Sequence, residues 1–271
     1  MFSFSEHLHY ICMRVRLIKK KTIENYSLNN ARSRNSFNIW LGNIKFADWG
    51  KPSDISDLFG SADLIGRSSQ RVVFDIGGND YRMICKYHFG PTSVRLYLKW
   101  IGTHLNTRIC AEEVNNLQSI STKEKCMGTL LYKIIKTEIQ YFQYCNKLEA
   151  LTDSENKSKA AEDEIELITL LIEKYDEEHN SFDELDPVAL LKSLMKDHHI
   201  KSIQLAELLG VSRGLVSDIL NYKKGMSKET IRILSARFKL NQLAFNRPYK
   251  ILSTTPKRRL KRSHARKVGT E

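Results

Sequence analysis

The chain has 271 residues, 41% of them hydrophobic, and a formal net charge of +12. That length allows one large or two ordinary domains with real cores. No apolar run approaches the length of a membrane span, and the first residues lack a secretory-signal pattern. Five scattered cysteines without a CxxC pair argue against disulfides and zinc and for a reducing cytoplasm. The basic balance points to nucleic acid or another anionic partner.

The charge is unevenly spread. Residues 13–104 hold 15 Lys/Arg against 7 acids, whereas 149–186 hold 14 acids against 3 lysines. Residues 187–249 return to 11 basic against 4 acidic side chains, and a basic tail follows. Apolar residues Ile165, Leu167, Ile168, Leu170, Leu171, Ile172 and Tyr175 run through the acid block at helical spacing. An amphipathic acidic helix wants an apolar partner and a basic neighbour, and this chain contains both.

In chain order, residues 1–12 read as an unstructured extension. MRVRLIKK from Met13 reads as a short alternating strand. Residues 22–48 have helical spacing, with Ile23, Tyr26, Phe37, Trp40, Leu41, Ile44 and Phe46 as expected core positions. Residues 50–63 read as a loop with one helical turn after Pro52. Three strands follow. Val72, Phe74 and Ile76 alternate with Arg71, Val73 and Asp75; DYRMICKYHF returns through Gly77-Gly78-Asn79; and Val94, Leu96, Leu98 and Trp100 alternate with Arg95, Tyr97 and Lys99. Residues 13–104 therefore read as a small α+β domain with helices on an antiparallel sheet.

Polar, aperiodic residues 105–126 read as a linker. From 127 the pattern is helical: GTLLYKIIKTEIQYFQYCNKLEAL, then the acid helix, then DPVALLKSLMKDH with Asp186 as N-cap and Pro187 at N1. KSIQLAELLGVSRGLVSDILNYKKG (201–225) reads as a helix-turn-helix. Ser202 is placed as the cap of the first helix, Ala206 at the crossing, Gly210 in the left-handed turn, Val211 in the corner and Ser212 as the second cap. Arg213, Gly214 and Ser217 are left outward at the recognition-helix N-terminus, with Lys223 and Lys224 placed for phosphates. Ser202, Gln204 and Ser212 complete the expected DNA-binding set. Residues 251–271 read as a basic disordered tail.

Arg82 and Lys86 fall on one face of a strand, Arg71 lies on its neighbour and His104 ends the third. Cations can hold a scissile phosphate, and a histidine can move a proton. RNA brings its own nucleophile in the 2′-OH, so this chemistry needs no metal and no cofactor.

Stretches in both halves of the chain carry a resemblance. GRSSQRVVFDIGGNDYRMICKYHF (66–89) with RLYLKWIGTH (95–104) resembles the HigB-type toxins, RelE-like ribosome-dependent mRNA interferases. YKIIKTEIQYFQYCNKLEAL (132–151), DEIELITLLIEKYDEEHN (163–180), DPVALLKSLM (186–195) and RFKLNQLAFNRPYK (237–250) resemble the HigA-type antitoxin, with an XRE-type helix-turn-helix. The resemblance implies a RelE-like domain at 13–104, a neutralising arm at 127–186 and an all-α DNA-binding domain at 187–250. Arg71, Arg82, Lys86 and His104 become the candidates for RNA binding and cleavage. Glu162, Asp163, Glu166 and Glu173 become the neutralising carboxylates. The expected partners are mRNA on the ribosome, operator DNA, the chain's own other half, and a second copy through the helix-turn-helix half; no membrane is expected. The alternative is a DNA-binding regulator with a catalytically dead N-terminal domain. Similarity to the toxin stops after His104 and resumes near Met127, so a reading-frame shift is the expected origin of the junction.

Overall fold

The computed structural model describes residues 13–66, 69–104, 132–154 and 158–252. The fold is α+β, a five-stranded sheet followed by helices. Strands β1 (Val15–Ile18), β2 (Asp63–Ile65), β3 (Arg71–Ile76), β4 (Tyr81–Phe89) and β5 (Val94–Thr103) lie in the order β1-β5-β4-β3-β2. β1 runs parallel to β5, and the other pairings are antiparallel. The β3–β4 turn uses Gly77, Gly78 and Asn79, all at positive φ, where a β-carbon is penalised for most residues.

Alternation gives the sheet two faces. Val15, Val72, Phe74, Ile76, Met83, Cys85, Val94, Leu96 and Leu98 join a core with α1 (Lys20–Asn29), α2 (Arg34–Lys45) and α3 (Ser53–Leu58). The helical stretch expected over 22–48 is split by a 3-10 turn at Ala31–Ser33, where the Ser33 hydroxyl turns back to the Asn30 carbonyl. Ile23, Phe37, Trp40, Leu41 and Ile44 are buried as expected, while Tyr26 and Phe46 are half-buried. The strand expected from Met13 is only four residues long, because Lys19 takes a left-handed φ of 70° and starts α1.

One alternation fails. Cys85 pairs with Leu98 and Ile84 with Trp100, so Lys99 is an extra residue in β5. This β-bulge turns Trp100 away from the Val94–Leu96–Leu98 face and onto the face of Arg82, Ile84 and Lys86.

The opposite, outer face is covered by a helical hairpin, α4 (Glu138–Asp153) and α5 (Lys159–Glu178). Tyr141, Cys145, Leu148, Ile165, Ile168, Ile172 and Tyr175 pack with Ile18 and Tyr97 of the sheet as a second core. The helix expected from residue 128 begins at Glu138. Thr137 caps it by accepting the Gln140 N–H at 3.2 Å, and the extended residues before it are tied to the Tyr144 hydroxyl. Apolar spacing alone does not register that stop.

Among the described residues four α-helices and a 3-10 turn at Gln242–Ala244 follow: α6 (Pro187–Asp197), α7 (Ser202–Leu209), α8 (Arg213–Leu220) and α9 (Lys228–Phe238). Asp186 caps α6 through the Val188 and Ala189 N–H groups. Gly210 takes φ 63° between α7 and α8, and Ser212 accepts the Leu215 N–H at 3.2 Å. Ser202 is not the cap expected of it. It is the first helical residue, and Gln204 Oε1 accepts the preceding Lys201 N–H at 2.8 Å.

These helices share the inner core: Leu190, Leu194, Phe238 and Phe245 belong to the same buried cluster as Phe37 and Trp49. Backbone pairing reinforces the seam. Ala47 bridges Leu240, Asp48 N–H donates to the Lys239 carbonyl at 2.9 Å, and Asn241 N–H donates to the Phe46 carbonyl at 2.8 Å. Asp197 accepts the Gly60 N–H at 2.9 Å.

A shared core predicts shared unfolding. Phe238→Ala empties a fully buried site and should cost about 3–5 kcal/mol. The fluorescence transition of the buried Trp40 and Trp49, both in the N-terminal unit, should shift with it. An unshifted transition would mean that the C-terminal helices fold apart from the sheet.

Candidate functional site

The outer face of the sheet is built by register. Arg16 of β1 stands beside Arg95 of β5, and Ile18 beside Tyr97. Lys86 lies between Tyr97 and Arg71, and Arg82 between Gly102 and Asp75. Side chains of directly paired residues share a face. Arg16, Arg71, Arg82, Lys86, Arg95 and Lys99 therefore crowd one surface. Like charges this close are unfavourable without anions nearby.

The hairpin supplies the anions. Glu166 takes Arg95 at 2.7 Å and reaches Arg16 at 3.7 Å; Glu173 takes Arg16 at 2.7 Å and Arg14 at 3.4 Å. Glu149 bridges Lys99 and, at 3.4 Å, Lys19; Asp153 takes Lys86 at 2.7 Å. Neutral contacts fill the gaps: the Tyr97 hydroxyl meets Thr152 Oγ1 at 2.7 Å, and Thr92 donates to Glu166 at 3.1 Å. Burial pushes the Tyr97 phenol upward, so it stays neutral in this seam.

The candidate RNA residues fall into two groups. Arg71 and Lys86 are a cross-strand pair. Arg82 lies four residues back along β4, about 13 Å at strand rise, and its Nε donates to Asp75 at 2.7 Å. His104 follows β5 at that same end, exposed, with its N–H on the Asp80 carbonyl at 3.3 Å. So the face brings Arg82 and His104 to one end and Arg71 and Lys86 toward the other. Of the four, Lys86 alone is paired with the hairpin among the described residues.

The four expected neutralising carboxylates divide as well. Glu166 and Glu173 meet arginines, while Glu162 and Asp163 point to solvent and make no ion pair among the described residues. Sequence reasoning missed Arg16, Arg95, Lys99, Glu149 and Asp153. Their signal was available: Arg16 alternates with the apolar residues of β1, Arg95 and Lys99 with those of β5, and Glu149 and Asp153 fall at helical spacing on α4.

In the C-terminal unit Ser202, Gln204, Ser212, Arg213, Gly214, Ser217, Lys223 and Lys224 are all exposed. Lys224 leans on Asp218 at 3.4 Å. The linker at 105–126, with its expected frame junction, and the tail from 253 lie outside the described residues. Among the described residues, no cluster of three or more His, Cys, Asp or Glu is placed for a metal, and no helix is long and apolar enough to cross a membrane.

Residues 33–106 match the HigB_toxin family, the RelE-like toxic component of a toxin-antitoxin system. The match runs from the start of α2 through β5 and ends two residues past His104. It supports a toxin half and a function related to toxin–antitoxin systems, with an antitoxin and RNA as the implied kinds of partner. No curated protein and no solved structure matches the chain.

One titrating group sits at the root of the hairpin. Asp176 of α5 lines a cavity of about 400 Å³ bounded by β1, α2 and residues 180–185. Burial raises its carboxyl to about 7, against the pull of the Tyr141 hydroxyl and the Lys20 ammonium; Glu24 and Glu173 push the same way as burial. The folded chain thus holds a proton that the unfolded chain releases near pH 4. The group's contribution to stability is complete below about pH 4 and is lost as pH rises through about 7. Asp176→Asn should raise the thermal midpoint most at about pH 8, by less at about pH 5, and hardly at all at about pH 3. Parallel curves for the two proteins would contradict this assignment.

Proposed function

We propose that the chain is a toxin and its antitoxin in one polypeptide: an RNA-cleaving RelE-like unit whose active face is masked by the acidic hairpin that follows it. The observation that carries the reading is the set of carboxylates, Glu149, Asp153, Glu166 and Glu173, seated on cations of the outer face. RNA phosphates and these carboxylates compete for the same cations. Tethering makes the mask intramolecular, with an effective concentration on the order of millimolar.

In the open state the arginines and Lys86 bind phosphates, the substrate's 2′-OH attacks the adjacent 3′-phosphorus, the bond from phosphorus to the 5′-oxygen breaks, and His104 passes the proton lost by the 2′-OH to that departing oxygen. The substrate is mRNA on the ribosome, the class implied by the resemblance to HigB-type toxins. The C-terminal helices act as an operator-binding repressor. The tight turn at Gly210 and the exposed Arg213, Gly214 and Ser217 at the start of α8 support that half of the reading.

Asp153→Lys, Glu166→Lys and Glu173→Lys together should free the face and arrest growth when the full chain is expressed. Glu162→Lys with Asp163→Lys alters charge on the same helix without touching the face and should leave cells growing. Adding His104→Ala to the freed chain should lower its rate of RNA cleavage by about 10²-fold or more. Growth arrest equally strong with and without His104 would remove it from the mechanism, and no arrest from the freed chain would remove the toxin reading.

For the DNA half, Arg213→Ala should weaken the specific duplex by about 1–3 kcal/mol and relax base preference, whereas Lys223→Ala should weaken all duplexes alike. Uniform loss for Arg213→Ala would make it a phosphate contact.

A further inference from the structure

Trp100 is the tryptophan that the fold does not bury. Trp40 and Trp49 are 3% and 0% exposed in the inner core, whereas Trp100 is half-buried on the outer face, delivered there by the bulge at Lys99. Its indole reaches along β5 over Gly102. A β-carbon at residue 102 would lie 2.5 Å from ring atom Cζ2 and 2.7 Å from Cη2, so the ring occupies the space a side chain would take. Glycine at 102 is what lets the indole settle there. The ring makes no hydrogen bond or ring contact among the described residues.

Its surroundings have the chemistry of a nucleotide site. Ile84, its partner across the ladder, is buried behind it, and Arg82 is the partner of Gly102. His104 stands two residues beyond Gly102, about 7 Å at strand rise. Among the described residues the hairpin's ion pairs lie on Arg14, Arg16, Lys19, Lys86, Arg95 and Lys99, and none reaches Arg71, Arg82 or His104. Among the described residues the hairpin's carboxylates reach as far as Lys99, next to Trp100, and Lys86 of β4; beyond them Arg82 is held by Asp75 of the sheet at 2.7 Å, and His104 carries no hairpin carboxylate.

We infer that Trp100 is a stacking platform for one base of single-stranded RNA, set beside Arg82 for a phosphate, and that this end of the face binds RNA even in the masked chain. Exposed aromatic rings next to arginines are how single-stranded nucleic acid is gripped without reading its sequence. The inference rests on the reading of the N-terminal unit as RNA-cleaving and adds the place where the substrate is held and the part of the site that masking spares.

The test uses the intact chain and a short 2′-O-methyl RNA, which binds but offers no free 2′-OH for cleavage. Binding should quench tryptophan fluorescence, with affinity read independently by anisotropy of a label on the RNA. Trp100→Leu should abolish the quenching and weaken binding about tenfold or more, whereas Trp100→Phe, which keeps a ring, should lose less. Both variants should keep the Trp40/Trp49 unfolding transition of the parent, which shows that they fold. Equal affinity for parent and Trp100→Leu overturns the inference, as does absence of saturable binding by the intact chain. The toxin reading is judged separately, by growth arrest from the Asp153/Glu166/Glu173→Lys chain. If that chain arrests growth and its Trp100→Leu derivative does so equally well, stacking is refuted and the toxin reading stands.

Discussion

Arg95 is 3% exposed, and a guanidinium at that depth needs a counter-charge. Glu166 supplies it at 2.7 Å, with Thr169 Oγ1 accepting from Nε at 3.5 Å. The need is doubled because Arg16 is the lateral neighbour of Arg95 in the β1–β5 register, and Glu166 lies against both. Removing Glu166 strands the buried Arg95 without its counter-charge. Without α5 the two arginines must return to water, and an anion-hungry surface opens on the sheet. The same physics thus seals the face when the hairpin is present and leaves unpaired cations on it when the hairpin is not.

Two different attachments hold the C-terminal half to the sheet. On the outer face the hairpin adds a small apolar core to a dense set of ion pairs, several half-exposed and so weakened by salt. On the inner side α6–α9 merge into the main core and pair backbone to backbone with residues 46–48. That seam is apolar and little affected by ionic strength. The hairpin can therefore lift while the helices at the other side stay in place, so that uncovering the face and keeping α6–α9 docked are separable events in one chain.

Much of this was legible in the sequence. The alternation of Val72, Phe74 and Ile76 and the Gly77-Gly78-Asn79 turn identify β3 and β4, and the charge blocks identify what attracts what. Block charge does not rank individual residues. Glu162 and Asp163 look equivalent to Glu166 and Glu173 in composition, yet the turn of α5 points them to solvent. Arg95, which reads as an exposed strand position, is buried only because a distant helix covers it. Trp100 was assigned to the apolar face by a period of two that a single bulge interrupts. The seam between residues 46–48 and 239–241 joins segments almost two hundred residues apart, and nothing local marks it.

Charge pairing with Arg95 and Arg16 holds the hairpin over the face, independently of the inner seam. Amide hydrogen exchange on the full chain with Glu166→Gln tests it most directly. Exchange should quicken through α4, α5 and the outer strand β1, with α2 and α6–α9 protected as in the parent. Unchanged protection of the hairpin, or equal loss throughout the chain, would contradict it.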